Sequence, residues 1–155
     1  MTYVLDTSMI SALHRNYFPQ RFPSLWMRLD QLTASGGWSS TREAFRELED
    51  IGGPAAAWAK ANESLFLVPN AAEGTLVTAI YKVPHFLANI EKQKVLHGGK
   101  NADPFLVGRA RSIGGCVVTM ETLRPNAAKI PNICQHFSVP CFHLEKFMEK
   151  EGWTF

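Results

Sequence analysis

The stretch YVLDTSMISAL, residues 3–13, decides the fold. Thr2–Leu5 is a β-type run, and Asp6, Thr7 and Ser8 then supply helix-starting chemistry for Met9, Ile10, Ala12 and Leu13. A strand that passes through an acid straight into a helix predicts a sheet whose strands alternate with helices. The alternation continues outward. A Pro-flanked loop, YFPQRFPS (17–24), leads to a helix over Ser24–Ala34, with Leu25, Trp26, Leu29 and Leu32 at helical spacing. Gly36-Gly37 ends it, and Trp38–Ser40 predicts a short strand. Ser40 or Thr41 caps a helix over Arg42–Ile51, closed by Gly52-Gly53, and Pro54 starts an Ala-rich helix to about Asn62. Leu65–Val68 reads as strand, and Ala71–Val95 as helix that Pro84 kinks or breaks.

HGGKN (97–101) reads as a loop, after which Asp103-Pro104 opens a helix at the position where proline's missing N–H costs nothing. Gly114-Gly115 ends that helix and CVVT (116–119) follows as a buried strand. Ser138–Phe142 predicts one more strand, and Leu144–Lys150 a final helix. Strands separated by helices imply right-handed crossovers and a mainly parallel sheet covered on both faces. The expectation is an α/β protein, a three-layer α/β/α sandwich, forming a single domain over residues 1–155.

Composition agrees with that size. The 155 residues and 17.3 kDa suit one domain, and 46% hydrophobic residues suffice for a sizeable core. Lys+Arg 16 against Asp+Glu 14 leaves +2, an excess that neither demands nor excludes a nucleic-acid partner. The longest stretch free of Asp, Glu, Lys and Arg, Ile130–Leu144, is interrupted by Pro131 and Pro140 and falls short of the ~20 apolar residues of a spanning helix. The start, MTYVLD, lacks the basic region of a signal peptide. Three cysteines argue against a disulfide framework. The sequence predicts a cytoplasmic protein with no membrane partner.

In an open parallel sheet, ligands bind outside the carboxyl ends of the strands. The acids there are Asp6, just after the first strand, Asp103, at the start of the helix before CVVT, and Glu121, just past it. Asp30 and Asp50 suit solvated surface. Asp6 and Asp103 each admit a plainer reading as helix N-caps, worth ~1 kcal/mol. Together with Glu121 they converge on one end of the sheet, where clustered carboxylates raise one another's pKa unless a cation joins them. Hard oxygen ligands suit Mg²⁺ or Mn²⁺.

The helix over Arg42–Ile51 offers a fourth acid. At about 100° per residue, Ala44, Phe45, Leu48 and Ile51 form its apolar face; Glu47 falls at the edge of that face, and Glu43 lies roughly 40° further toward solvent. Glu47 is therefore the better ligand candidate and Glu43 the better solvated residue.

YVLDTSMISAL, STREAFRELED (40–50) and NADPFLVGRARSIGGCVVTMETLRPNAAKIPNIC (101–134), in that order, resemble the PIN-domain family. The chain looks closest to a bacterial subgroup related to VapC-type toxins, a resemblance that spans essentially all of it and that the ending EGWTF also suits. The resemblance implies a PIN-like fold and a metal-dependent endoribonuclease, the toxin of a toxin–antitoxin pair. It matches Asp6, Glu47, Asp103 and Glu121 to four metal-holding catalytic acids, Thr119 to the Ser/Thr two places before the last acid, and Ser8 to a polar residue near the first. Glu121 departs from the Asp usual in VapC-type toxins.

One or two Mg²⁺ or Mn²⁺ ions held there would neutralise a scissile phosphate and acidify a bound water. Attack by water leaves 5′-phosphate and 3′-hydroxyl ends. Arg42, Arg46, Lys100, Arg109, Arg111, Arg124 and Lys129 lie near the acids in sequence and suit phosphate contacts with an RNA substrate. The implied partners are RNA, a cognate antitoxin protein and a second copy of the chain in a homodimer. A catalytically silent PIN scaffold, binding RNA or protein, is the alternative from another class.

Three other readings carry less. Cys134, His136, Cys141 and His143 form a doubled C-x-H that invites zinc, but their apolar neighbours suit buried thiols. LDTS lacks the second Asp of a haloacid-dehalogenase-type phosphatase, since Ser8 stands there. No phosphate-binding glycine motif is present. Trp26, Phe45, Trp58 and Phe105 read as core residues rather than base-stacking platforms.

Overall fold

A computed structural model describes all of residues 1–155. Five short strands, each a buried or half-buried run of two to four residues, form one parallel sheet. They are β1 (Tyr3–Leu5), β2 (Trp38–Thr41), β3 (Phe66–Leu67), β4 (Cys116–Val118) and β5 (Cys141–Phe142), in the order β3-β2-β1-β4-β5. Every connection contains helix, as parallel pairing requires. The sheet is the middle layer of three, and the expected α/β/α architecture holds with no antiparallel strand.

The helices are α1 (Thr7–Asn16), α2 (Pro23–Ala34), α3 (Arg42–Ile51), α4 (Gly53–Ala61), α5 (Ala71–Tyr81), α6 (Pro84–Leu96), α7 (Asp103–Ile113), α8 (Ile130–His136) and α9 (Leu144–Lys150). None is long and apolar enough to cross a membrane. Helix α7 lies across β1, β2 and β4 and is covered by α5, while α1, α3 and α4 pack on one another. Thirty-six buried residues form one continuous core. It holds Trp38, whose ring stacks on that of Trp58 at 5.1 Å, and Tyr3, whose ring meets Phe147 of α9 edge-on at 4.7 Å. The Tyr3 hydroxyl donates to Glu151 Oε2 at 2.7 Å, fastening the C-terminal turn to the first strand.

Two close approaches fix the α7–β4 turn and the α5–α7 contact. Gly114 ends α7 in the left-handed region at φ +64°, and a Cβ at Gly115 would stand 2.6 Å from the Thr2 carbonyl oxygen. A Cβ at Gly108 would stand 3.0 Å from the Glu73 carbonyl, so α5 and α7 meet backbone to backbone there.

Of the kink or break expected at Pro84 the structure has the break: α5 stops at Tyr81 and Val83, restricted by the proline after it, is extended. The structure departs from the sequence reading at three places. Leu65 belongs to a 3₁₀ turn (Glu63–Leu65), leaving β3 only Phe66 and Leu67. The charge-free run holds a helix, α8, that the sequence reading lacked. At seven residues it is too short to show a hydrophobic period, and Ser138, in the left-handed region at φ +56°, delays the following strand to Cys141. Ile51, assigned to the apolar face of α3, is exposed, while Ala44, Phe45 and Leu48 are buried.

A buried ion pair ties three of these elements together. Glu73, 1% exposed, completes a capping box with Asn70 at the start of α5 and also accepts from Arg109 of α7 at 3.0 Å. Arg109 Nε donates to Ser39 of β2 at 3.2 Å. Arg109 is therefore structural rather than a phosphate contact. Arg109→Ala leaves Glu73 buried and unpaired, and chemical denaturation should show a loss of roughly 3 kcal/mol; a loss below about 1 kcal/mol would mean water replaces the guanidinium.

Candidate functional site

Register builds the site. Leu5 pairs with Val118, and the ladder continues one residue further: the Asp6 N–H donates to the Val118 carbonyl and the Thr119 N–H to the Phe142 carbonyl, both at 3.0 Å. Asp6 and Thr119 therefore leave adjacent strand ends side by side. Asp6 Oδ2 accepts from Ser8 Oγ at 2.6 Å and Thr119 Oγ1 at 2.8 Å. Those hydroxyls in turn accept the N–H groups of Met120 and Glu121, each at 3.1 Å. The segment carrying Glu121 is thereby fastened to the carboxylate of Asp6.

The helix-capping reading of the acids fails. Asp6 occupies the N-cap position of α1, yet its side chain makes no cap hydrogen bond. Asp103 is the first residue of α7, after an Ala102 cap, and its own N–H is held by Asn101 Oδ1 at 3.1 Å. No hydrogen-bond donor reaches the Asp103 carboxylate. Glu47 Oε1 accepts from Thr7 Oγ1 at 2.8 Å, and Glu121 Oε2 accepts from the Ile130 N–H at 2.8 Å. Glu121 thus holds the start of α8 from nine residues upstream.

All four sequence-derived acids, Asp6, Glu47, Asp103 and Glu121, line one open cavity of about 460 Å³. Thr7, Ser8 and Ser11 add hydroxyls, and Ile51 is the single apolar wall residue. The cavity also holds Arg15, His97 and Lys100, with Asp50 paired to Lys100 at its edge. Of these only Lys100 had been singled out. Arg15 follows Ser8 and Ser11 on one face of α1 at helical spacing, and Asp50 stands three residues after Glu47 on α3, so a pattern existed to find both; His97 follows from tertiary placement alone. Asp50 is exposed, as expected, but belongs to the site.

The acids resist ionisation together. Burial pushes Asp103 well above the usual carboxylate range, and the charges of Asp6, Glu121 and Glu47 push it further, against a smaller pull from Lys129. Asp6 is raised by burial, opposed most by the Ser8 and Thr119 hydroxyls. Glu47 and Glu121 are raised first by burial as well.

As a donor set, four carboxylates on one wall suit a hard divalent cation. The side chains as placed do not close on a point, and no three His, Cys, Asp or Glu side chains form a group able to hold an ion. Among the doubled C-x-H residues, the His136 ring packs on those of Phe86 and Phe137, and Cys134 is buried in the core.

Glu43 is not the solvated residue expected. Its side chain is 14% exposed and lines a neighbouring pocket of about 200 Å³. Phe105, taken for core, is half-buried and lines the same pocket, whereas Trp26 and Phe45 are buried and Trp58 packs against the core. Among the basic candidates, Arg42 pairs with Glu43, Arg111 donates to the Phe137 carbonyl, and Arg124 and Lys129 flank Glu121.

Residues 3–155 match the family described as a domain of unknown function, DUF4411, and the chain belongs to that family. No curated protein matches it.

The raised carboxyls have a sign that thermal melts can read. A folded-state pKa above the unfolded one favours folding below about pH 4, and that contribution is lost as pH rises through the folded value. In EDTA, stability should fall as pH rises from 4 toward neutrality. Asp103→Asn should flatten that slope and raise the neutral-pH Tm, by about 2–4 °C per kcal/mol of repulsion relieved. A variant that melts lower than wild type at pH 7 would show that the Asp103 charge is already neutralised by Lys129 and its neighbours.

Proposed function

We propose that this DUF4411 member is a Mg²⁺- or Mn²⁺-dependent endoribonuclease of the PIN kind, the toxin half of a toxin–antitoxin pair. The observation that supports catalysis is that four carboxylates, from the β1 end, α3, the α7 start and the segment after β4, line one cavity. Their motifs and order resemble those of the PIN family over the whole chain. The toxin role, the antitoxin partner, a homodimer and a cytoplasmic setting rest on that resemblance alone.

Asp6, Glu47, Asp103 and Glu121 would hold the cation. When bound, it supplies charge neutralisation at a phosphodiester and a water acidic enough to attack phosphorus. Asp6 is the best oriented of the four, because the Ser8 and Thr119 hydroxyls both donate to its Oδ2. Asp103 gains most from a cation, since its carboxylate has no hydrogen-bond donor and faces three other acids. Thr7 positions Glu47. Arg15 and Lys100 share the cavity and supply positive charge on which a phosphate can rest.

The open spacing of the acids favours a second reading, a scaffold that binds RNA without cutting it. Calorimetry with Mn²⁺ separates the two: a silent scaffold binds no ion at the acids.

Purified protein should cut single-stranded RNA with Mn²⁺ or Mg²⁺, stop in EDTA, and leave 5′-phosphate ends. Asp6→Asn and Asp103→Asn should each lower the rate by about two decades or more while remaining folded. Cleavage at full rate in EDTA, or 2′,3′-cyclic phosphate ends, would sink the metal mechanism.

A further inference from the structure

Beside the acidic cavity lies the smaller pocket of about 200 Å³, between the first half of α3, the end of α6 and the loop before α7. Two of its lining residues, Asn101 and Glu43, each carry a buried polar atom with no partner. Asn101 is 7% exposed; its Oδ1 is committed to the Asp103 N–H, and its Nδ2 has no partner. Glu43 Oε1 accepts from Arg42, and its buried Oε2 has no partner either. A buried donor and a buried acceptor left unpaired cost about 1–3 kcal/mol each, a penalty that a ligand with the complementary pair removes if the two side chains turn toward it.

The rest of the pocket suits a nucleotide. Phe105 offers a half-buried ring, and Arg46 and Lys94 line it, the Lys94 ammonium lying 5.4 Å from the Tyr81 ring centroid. Lys100 lines both this pocket and the acidic cavity. A chain whose phosphate crosses from one to the other passes over that ammonium, in place of its surface pairing with Asp50.

We propose that this pocket is a base-reading subsite. It takes one nucleobase of the RNA strand cut in the neighbouring cavity, with Glu43 Oε2 accepting from the base edge and Asn101 Nδ2 donating to it. The inference rests on the nuclease reading for its ligand, but not for its test. A hydrogen-bonding edge is discriminated strongly because the wrong base leaves the buried pair unmet. Glu43 and Asn101 therefore act in specificity, and Glu43 stands apart from the four acids.

The test is a titration of the full-length protein in EDTA with each of the four ribonucleoside 5′-monophosphates, read at the Asn101 side-chain amide by NMR. One mononucleotide should perturb that amide saturably and in preference to the others. Glu43→Gln, which replaces the acceptor by a donor, should weaken that mononucleotide by about tenfold or move the preference to another base. In the metal-dependent cleavage assay the same variant should redistribute its cut sites among the four bases. If no mononucleotide perturbs the Asn101 amide, or all four bind alike and Glu43→Gln changes nothing, the subsite is overturned. Base-selective binding without any cleavage would keep the subsite and sink the nuclease reading; cleavage without selective binding would do the reverse.

Discussion

One oxygen atom carries the organisation of the site. Asp6 Oδ2 accepts two hydroxyls, Ser8 from its own helix start and Thr119 from the neighbouring strand end, and each hydroxyl passes the restraint to a backbone N–H of the segment that carries Glu121. Without a charged acceptor there, the two strand ends have parallel pairing to align them but nothing to orient the segments beyond. Hydrogen bonds to a buried carboxylate are roughly twice as strong as neutral ones. The acid is therefore scaffold and site at once: its Oδ2 fastens the neighbouring segment, and the residue lines the cavity.

That arrangement sets stability against chemistry. Four acids share a wall on which burial and mutual repulsion both favour protonation. Elsewhere the fold compensates with conventional means: a continuous apolar core, the stacked Trp38 and Trp58 rings, and the Glu73–Arg109 pair that joins α5, α7 and β2. Strain of this kind at one cavity, within an otherwise consistent structure, is how a site announces itself physically.

Much of this was legible in the chain. YVLDTSMISAL showed a strand feeding a helix through an acid, and helical spacing on α3 separated Glu47 from Glu43, which the structure places in different pockets. What escaped depended on contacts distant in sequence. Helix α8 is too short to show a period, and its start is held by Glu121. Glu43 looked solvated because a helical wheel cannot show that it shares a pocket with the loop before α7. Phe105 looked like core because an aromatic on an amphipathic helix has no signature for a pocket wall.

The bond from Glu121 to Ile130 has a consequence of its own. The same carboxylate faces the acidic cavity and anchors the first residue of α8, and α8 packs on α7 and β5. Whatever neutralises Glu121, a proton or a cation, also weakens it as an acceptor for that N–H. Linkage makes the effect reciprocal: a load applied to α8 alters the cavity's affinity for charge by the factor with which charge in the cavity loosens α8. The extra methylene that distinguishes glutamate from aspartate at position 121 gives the fold a lever between its most electrostatically strained point and a helix on its surface.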